Sequence, residues 1–233
     1  MDSPVSVITE GSATTIRMDD GKRNALSLRM LQALDGALTS AETARLPVVL
    51  TGRADVLSAG FDLKVMLGGP RQDMAEMLRS GFRLARRMLS FPLPVIIACP
   101  GHAVAMGAFL LLSADFRLGA QGDFKIVANE VAIGMTLPAA AVELCRQRLT
   151  PVHFQRATLL SELYDPERAV EAGFLDRVVP PDQLLSSAYQ LAAQFKQLNM
   201  TAHAQTKQRL RAQNFEALDR AFEADEAQLR ALG

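Results

Sequence analysis

Three short segments of the chain carry residues that could do chemistry together. Residues 57–64 read Leu-Ser-Ala-Gly-Phe-Asp-Leu-Lys, and Gly60 would let the backbone approach a ligand closely. Residues 100–109 turn from an apolar strand into an apolar helix, whose first N–H groups lack partners and lie at its positive end. An N–H group placed there can hold a developing oxyanion. In residues 126–134 one carboxylate, Glu130, lies in an apolar run, where burial would raise its pKa to suit a general base.

Each of these segments also has an ordinary structural interpretation. The first could be a plain loop after a strand, and the second could be a core helix that uses glycine for close packing. A lone glutamate such as Glu130 is often a solvated residue at a loop or sheet edge. From the residues alone, both interpretations stay open for each segment.

The elements that must position these segments follow from hydrophobic spacing and turn residues. Short apolar runs predict strands over 5–9, 14–18, 47–51, 95–99 and 115–119. Apolar residues at helical spacing predict helices over 28–41, 71–90, 105–113 and 139–148, and others that open at Pro151 and Pro166. Residues 52–62 are predicted to be a loop. Strands that alternate with helices over residues 45–120 favour βαβ units and an α/β class.

The chain is predicted to divide into a core over residues 1–180 and a helical region over residues 181–233. From about Pro181 onward the sequence is more polar and almost wholly helical in its spacing. Its apolar helix faces are expected to pack on the core or on another subunit.

Composition excludes several classes of function. The formal net charge is +0, so we expect no electrostatic binding of nucleic acid or of an anionic membrane. The longest apolar run, residues 103–112, is too short for a bilayer, which needs about 20 residues. The first residues lack the pattern of a signal peptide. Cys99 and Cys145 lie in apolar stretches and are expected to be reduced core residues, so a cytoplasmic protein is predicted.

No pattern for a resident metal or nucleotide is found in the sequence. Its histidines, His102, His153 and His203, are scattered, and it has neither a Gly-x-Gly-x-x-Gly stretch nor a P-loop. We therefore expect no metal site and no permanently bound cofactor.

Taken together, the segments resemble the crotonase (enoyl-CoA hydratase/isomerase) superfamily over residues 5–180. Residues 22–26 resemble the family's Arg-Asn-Ala-Leu segment, and residues 58–64 resemble its Ser-Ala-Gly-x-Asp-Leu-Lys loop. Pro100-Gly101 onward is similar to its Gly-x-x-x-Gly-Gly helix start, and residues 130–134 are similar to its Glu-Val-x-x-Gly segment. Residues 169–179 match a fifth stretch. The five segments stand in the family's order and spacing.

The resemblance implies a fold and a substrate. The fold is a spiral of ββα turns followed by C-terminal helices, assembled as a homotrimer or a dimer of trimers. The substrate is an acyl-CoA, with coenzyme A present as part of the thioester. By position, the oxyanion donors would be the backbone amides of Phe61 and Met106, although Met106 stands where glycine is usual. The residues expected to contact CoA are Lys22, Arg23, Ala59, Gly60, Asp62, Leu63 and Gly107.

One departure from the family pattern bears on the reaction. Typical hydratases of the family use two glutamates, and Phe109 occupies the first of these positions here, which leaves Glu130 as the single acid/base. One base with an oxyanion hole suffices to move a double bond from 3-enoyl-CoA to 2-enoyl-CoA. The Asn129-Glu130 pair also resembles the monofunctional isomerases. The alternatives are a hydratase that makes 3-hydroxyacyl-CoA, another crotonase reaction such as decarboxylation or thioester hydrolysis, and a non-catalytic acyl-CoA-binding homologue.

Two further groups of side chains are assigned from position. Residues after the first oxyanion loop are expected to line the acyl pocket: Met66, Leu67, Met74, Leu78 and Phe82. Three cations near the end of the chain are expected either to form a solvated face or to reach a CoA phosphate: Lys207, Arg209 and Arg211.

Overall fold

A computed structural model describes residues 3–231, so residues 1, 2, 232 and 233 of the two predicted regions lie outside it. Its strands are β1 (Val5–Glu10), β2 (Ala13–Met18), β3 (Val48–Thr51), β4 (Asp55–Ser58), β5 (Val95–Cys99), β6 (Gly101–Val104), β7 (Phe116–Ala120), β8 (Ile126–Val127) and β9 (Arg177–Val179). Its helices are α1 (Leu28–Ala44), α2 (Leu63–Gly68), α3 (Arg71–Ser90), α4 (Met106–Leu112), α5 (Ala139–Arg146), α6 (Pro151–Leu160), α7 (Pro166–Ala172), α8 (Leu184–Phe195), α9 (Met200–Leu210) and α10 (Ala212–Ala231). Short 3₁₀ turns cover Val131–Ile133 and Pro181–Gln183.

Two sheets organise the first part of the chain. The larger has the order β1-β2-β3-β5-β7-β9, with an antiparallel first pair and parallel pairs thereafter. The smaller has the order β4-β6-β8 and is parallel throughout. The chain passes from a strand of the larger sheet to a strand of the smaller one and then to a helix, and it repeats this path. The predicted spiral of ββα turns, within a mixed α/β class, is therefore confirmed.

Both faces of the larger sheet are covered, which explains its continuous apolar strands. One face of β3 and β5, including Leu50 and Ile97, packs in a core shared with α1 and α3. The alternate residues, including Val49 and Ile96, pack against α8 on the other face. Successive side chains of a strand point to opposite faces, so one strand serves both cores.

Several helices begin at residues that favour a helix start. Ser27 caps α1, since its side chain accepts a hydrogen bond from the N–H of Met30. Pro151 and Pro166 each open a helix, as expected. Pro138 is the N-cap residue of α5 and lies directly before its first residue. No helix among residues 3–231 is both long enough and apolar enough to cross a membrane.

Two sequence predictions about strands were wrong. The predicted loop over residues 52–62 contains β4, and the predicted turn at Gly101 is the start of β6. These strands have four residues each and pair only with strands distant in the sequence. So short a run carries no measurable alternation of polar and apolar residues.

The prediction that Lys207, Arg209 and Arg211 form a solvated face was also wrong for two of them. Lys207 and Arg211 are buried, with relative exposures of 5% and 7%, rather than solvated. The Lys207 ammonium lies 2.6 Å from one Asp115 carboxylate oxygen, and the Arg211 guanidinium lies 2.9 Å from the other. Lys207 also donates to the carbonyl oxygens of Phe91 and Leu93. These contacts fix α9 to the core, and they use all three donors of the Lys207 ammonium.

The helices after residue 184 pack on the preceding part of the chain. The Asp225 carboxylate of α10 accepts hydrogen bonds from the N–H groups of Ala139 and Ala140 at the start of α5. The Arg79 side chain of α3 donates a hydrogen bond of 2.5 Å to Glu226, which also lies on α10. The boundary near residue 180 stays a prediction.

Candidate functional site

The three parallel strands of the smaller sheet end at a common edge. Ser58 of β4 lies opposite Ala103 of β6, and Val104 of β6 lies opposite Val127 of β8. In a parallel sheet the residues that follow such strands emerge together. The segments that begin at residues 59, 105 and 128 therefore leave the sheet side by side. They carry Phe61, Met106 and Glu130.

Gly60 brings the segment that begins at residue 59 into contact with the segment that begins at residue 105. Its φ angle is +88°, which L side chains rarely adopt. A Cβ on Gly60 would lie 2.9 Å from the carbonyl oxygen of Val104 and 3.5 Å from the amide nitrogen of Met106. The conformation and the contact both require glycine, and they place the loop at residue 61 beside the start of α4.

The amides of Phe61 and Met106 are available as donors. Met106 is the first residue of α4, so its N–H has no acceptor within the helix. Within residues 3–231, neither N–H donates a hydrogen bond. Ala105, between β6 and α4, has φ 52° and ψ −124° and is held there by its N–H bond to the carbonyl of Val127. This kink turns the chain from β6 into α4 and leaves the Met106 N–H unused.

A chain of hydrogen bonds holds the loop at residue 60 in place. The Ser58 hydroxyl donates to the carbonyl oxygen of Asn24 at 2.7 Å and accepts from the N–H of Gly60 at 3.1 Å. The buried Asn24 amide donates to the carbonyl oxygens of Met18 and Leu57. Asn24 and Ser58 lie within the family-like segments at residues 22–26 and 58–64, but neither was predicted to have a role. A single small polar residue is too common a feature to identify such a role from sequence.

Glu130 is buried rather than solvated. Its relative exposure is 7%, and burial raises the pKa of its carboxyl from 4.5 to about 7. Its Oε2 atom is buried and has no hydrogen-bond partner in the described part of the chain. The Oδ1 atom of Asn129 is likewise buried and has no hydrogen-bond partner in the described part of the chain. Burial raises the pKa of the Cys145 thiol, and the negative charge of Glu130 raises it further. A carboxylate with this pKa can both take and return a proton near neutral pH.

Phe109 is packed as a core residue. It is 1% exposed, and its ring stacks on Phe82 with centroids 6.5 Å apart. It brings no acid to the site.

An apolar cavity of about 420 Å³ lies between α2, α3 and α10. Four of the five residues predicted for the acyl pocket line it, namely Met66, Met74, Leu78 and Phe82. Leu67 does not line it and is 75% exposed. Phe222 and Leu229 of α10 and residues 135–138 also line it. Glu130, Phe61 and Met106 are outside this lining, but the ring of Phe82, which lines the cavity, lies 6.2 Å from that of Phe61.

The residues predicted to contact CoA are divided between exposed and packed positions. Lys22, Arg23, Ala59 and Leu63 are exposed, and the Ala59 N–H donates to the carbonyl of Arg23 at 3.0 Å. Asp62 caps α2 by accepting from the N–H of Lys64.

The two predicted glycines are buried beside these residues. A Cβ on Gly107 would lie 2.5 Å from the Ser58 carbonyl oxygen, so close packing explains that glycine. All seven CoA contacts stay predictions. Among residues 3–231, no group of three or more His, Cys, Asp or Glu side chains could hold a metal ion.

Comparison with known proteins adds independent evidence. Residues 9–232 match the family model described as enoyl-CoA hydratase/isomerase. A crystal structure of an enoyl-CoA hydratase/isomerase family protein from Pseudomonas syringae superposes with a TM-score of 0.95 and 46% identity, over 97% of this chain and 98% of that one.

Two curated relatives differ in the activity that their names state. Enoyl-CoA delta isomerase 1 of Mus musculus is 28% identical over 95% of this chain and 78% of its own length. A putative enoyl-CoA hydratase of Thermus thermophilus is 32% identical over 88% of this chain and 83% of its own. The fold, the ordered motifs and the extent of these matches agree: the chain belongs to the enoyl-CoA hydratase/isomerase family.

Proposed function

We propose that the protein converts 3-enoyl-CoA to 2-enoyl-CoA, with Glu130 as its single acid/base. The observation that carries the proposal is a buried carboxyl of pKa about 7 with an unpartnered oxygen, in the segment beside two unused main-chain N–H groups. Phe109 supports it, because an aromatic ring cannot handle a proton or orient a water molecule.

The reaction needs one proton to move between two carbons. Glu130 removes a proton from C2, and the electrons pass to the thioester oxygen to form a dienolate. The N–H groups of Phe61 and Met106 donate to this oxygen, and each such donor contributes about 10²–10³ in rate. Glu130 then returns the proton to C4, so that the C3–C4 double bond becomes a C2–C3 double bond. Atoms and charge balance without a cofactor.

The surroundings of this chemistry are also part of the proposal. The acyl chain lies toward the cavity bounded by Phe82, and CoA lies along the exposed residues from Lys22 to Leu63. We propose a cytoplasmic homotrimer or dimer of trimers, and no permanently bound cofactor. The exposed apolar residues Val131, Ile133, Leu159 and Leu160 are consistent with a surface covered by another subunit.

Hydration of 2-enoyl-CoA is the second candidate, and the name of the Thermus thermophilus relative favours it. It would need a second group to hold the attacking water.

The test is a product assay on 3-enoyl-CoA and 2-enoyl-CoA side by side, with Glu130→Gln and, as a matched control, the exposed Glu171→Gln. Isomerisation of the first that is lost only in Glu130→Gln supports the proposal. Rapid hydration of the second without isomerisation of the first overturns it, and no turnover of either would favour a binding protein.

A further inference from the structure

The side chains of Phe61 and Met106, whose amides are the candidate oxyanion donors, meet at one residue of α3. A Cβ on Gly81 would lie 2.5 Å from Cε1 and Cζ of the Phe61 ring. The same Cβ would lie 3.7 Å from Cε of Met106. The Phe61 ring therefore packs directly on the backbone of α3, in a space that even one methyl group would fill.

The next residue of α3, Phe82, encloses the Phe61 ring from a second direction. Its ring is edge-on to that of Phe61 at 6.2 Å and also contacts the rings of Phe109 and Phe222 at 6.5 Å and 6.0 Å. Close-packed rings transmit displacement rather than absorb it. A shift of the Phe61 ring therefore has to move the backbone of the loop that carries it.

Helix α3 itself does not yield readily, because it has twenty residues and its buried face packs in the main core. Hydrogen bonds fix Ala59 and Gly60 in the loop at residues 59–62. The Phe61 N–H, in contrast, has no acceptor within residues 3–231 that would hold its direction. Steric pressure at Gly81 is therefore relieved in the loop, where the Phe61 N–H is.

We propose that Gly81 is a positioning residue: its missing side chain sets where the N–H of Phe61 points, relative to that of Met106. The inference rests on the oxyanion part of the proposed function but not on which reaction the site serves. A misplacement of about 1 Å in such a site costs about 10²-fold in rate.

The test compares Gly81→Ala with Gly36→Ala, a matched control in α1 where an added Cβ meets no atom within 4 Å. The probe is hexanoyl-CoA labelled with ¹³C at the thioester carbonyl, which binds without reacting. Hydrogen bonds to the carbonyl lower its infrared stretching frequency. We expect Gly81→Ala to lose most of this lowering and to reduce kcat on 3-enoyl-CoA about ten- to a hundredfold with a small change in KM. Gly36→Ala should keep both.

A double variant separates positioning from general damage to the fold. Phe61→Leu removes the ring that Gly81→Ala displaces but keeps the amide, so the two changes together should be less harmful than their separate effects predict. If Gly81→Ala does not fold, the inference requires the double variant to match Phe61→Leu alone in carbonyl frequency and kcat. If the wild-type protein does not lower the carbonyl stretching frequency of the bound probe, the proposed oxyanion site is refuted. If Gly81→Ala lowers that frequency as much as the wild type does, the oxyanion site is supported and this inference is refuted.

Discussion

The Ser58 hydroxyl donates a hydrogen bond of 2.7 Å to the carbonyl oxygen of Asn24, a residue 34 positions earlier in the chain. The Ser58 hydroxyl oxygen also accepts a hydrogen bond from the N–H of Gly60. One side chain therefore joins an early turn to the loop that carries the candidate Phe61 amide.

Ser58→Ala should loosen this loop. It leaves the Gly60 N–H and the Asn24 carbonyl without their partner, which costs about 1–3 kcal/mol for buried groups. We expect a loss of stability of that size and a drop of about tenfold in kcat, because the Phe61 amide is no longer held in one place. Urea unfolding and steady-state kinetics measure the two effects. Ser40→Ala, at an exposed helical serine, is the control and should change neither; equal behaviour of the two variants would contradict the role of Ser58.

The rate should depend on pH through the Glu130 carboxyl. Glu130 must be ionised to remove a proton, and burial raises its pKa to about 7. We therefore expect kcat/KM to rise about tenfold per pH unit below pH 7 and to level off above it. A profile measured from pH 5 to 9 that is flat below pH 7 would show that another group is the base.

Stability should depend on pH through the same group, in the opposite sense. The folded pKa of Glu130 lies above its unfolded value of 4.5, so between pH 4.5 and about 7 the folded state keeps a proton that the unfolded state has lost. Stability therefore falls as pH rises across this window, by about 3 kcal/mol at 1.4 kcal/mol per pKa unit. Glu130→Gln carries no such proton and should lack this fall. Urea unfolding of both proteins at pH 5 and pH 8 tests it, and parallel changes in the two would count against the burial of an ionisable carboxyl.

Asp115→Asn should destabilise the attachment of α9 to the core. The change removes the negative charge that Lys207 and Arg211 share and leaves two buried cations, and breaking a buried pair in this way costs about 3–5 kcal/mol. Urea unfolding gives the loss directly. Asp35→Asn, which breaks an exposed pair with Arg87, is the matched control and should cost less than about 1 kcal/mol. Similar losses for both would mean that burial of the Asp115 cluster adds nothing.

The elements with a clear hydrophobic pattern were predictable from sequence alone. Helix α3 has twenty residues with one apolar face, and β3 and β5 are continuous apolar runs apart from Thr51 at the end of β3, so these patterns were enough to predict them. The smaller sheet was missed because β8 has two residues and its pairing with β6 is set by tertiary contacts. Without that sheet, nothing in the sequence shows that Glu130 leaves an edge beside Met106, and the family resemblance had to supply this placement.

The burial of charged residues was harder to predict than the apolar core. Lys207 lies on a polar helix and has no local feature that distinguishes it from the exposed Arg209. Its partner Asp115 is 92 residues away, so the pairing exists only in three dimensions. The raised pKa of Glu130 was foreseen only on the condition of burial, and the structure supplies that condition.

Both candidate donors to the thioester oxygen belong to the main chain, at residues 61 and 106. Every amino acid except proline provides that N–H, so the side chains at these positions can change over evolutionary time, within what their packing against Gly81 allows, without removing a donor. A new side chain there reshapes the space around the substrate while the polarising contacts persist, as a methionine at position 106 illustrates. Enzymes descended from such a scaffold can therefore acquire new reactions by point mutation without first losing the old one.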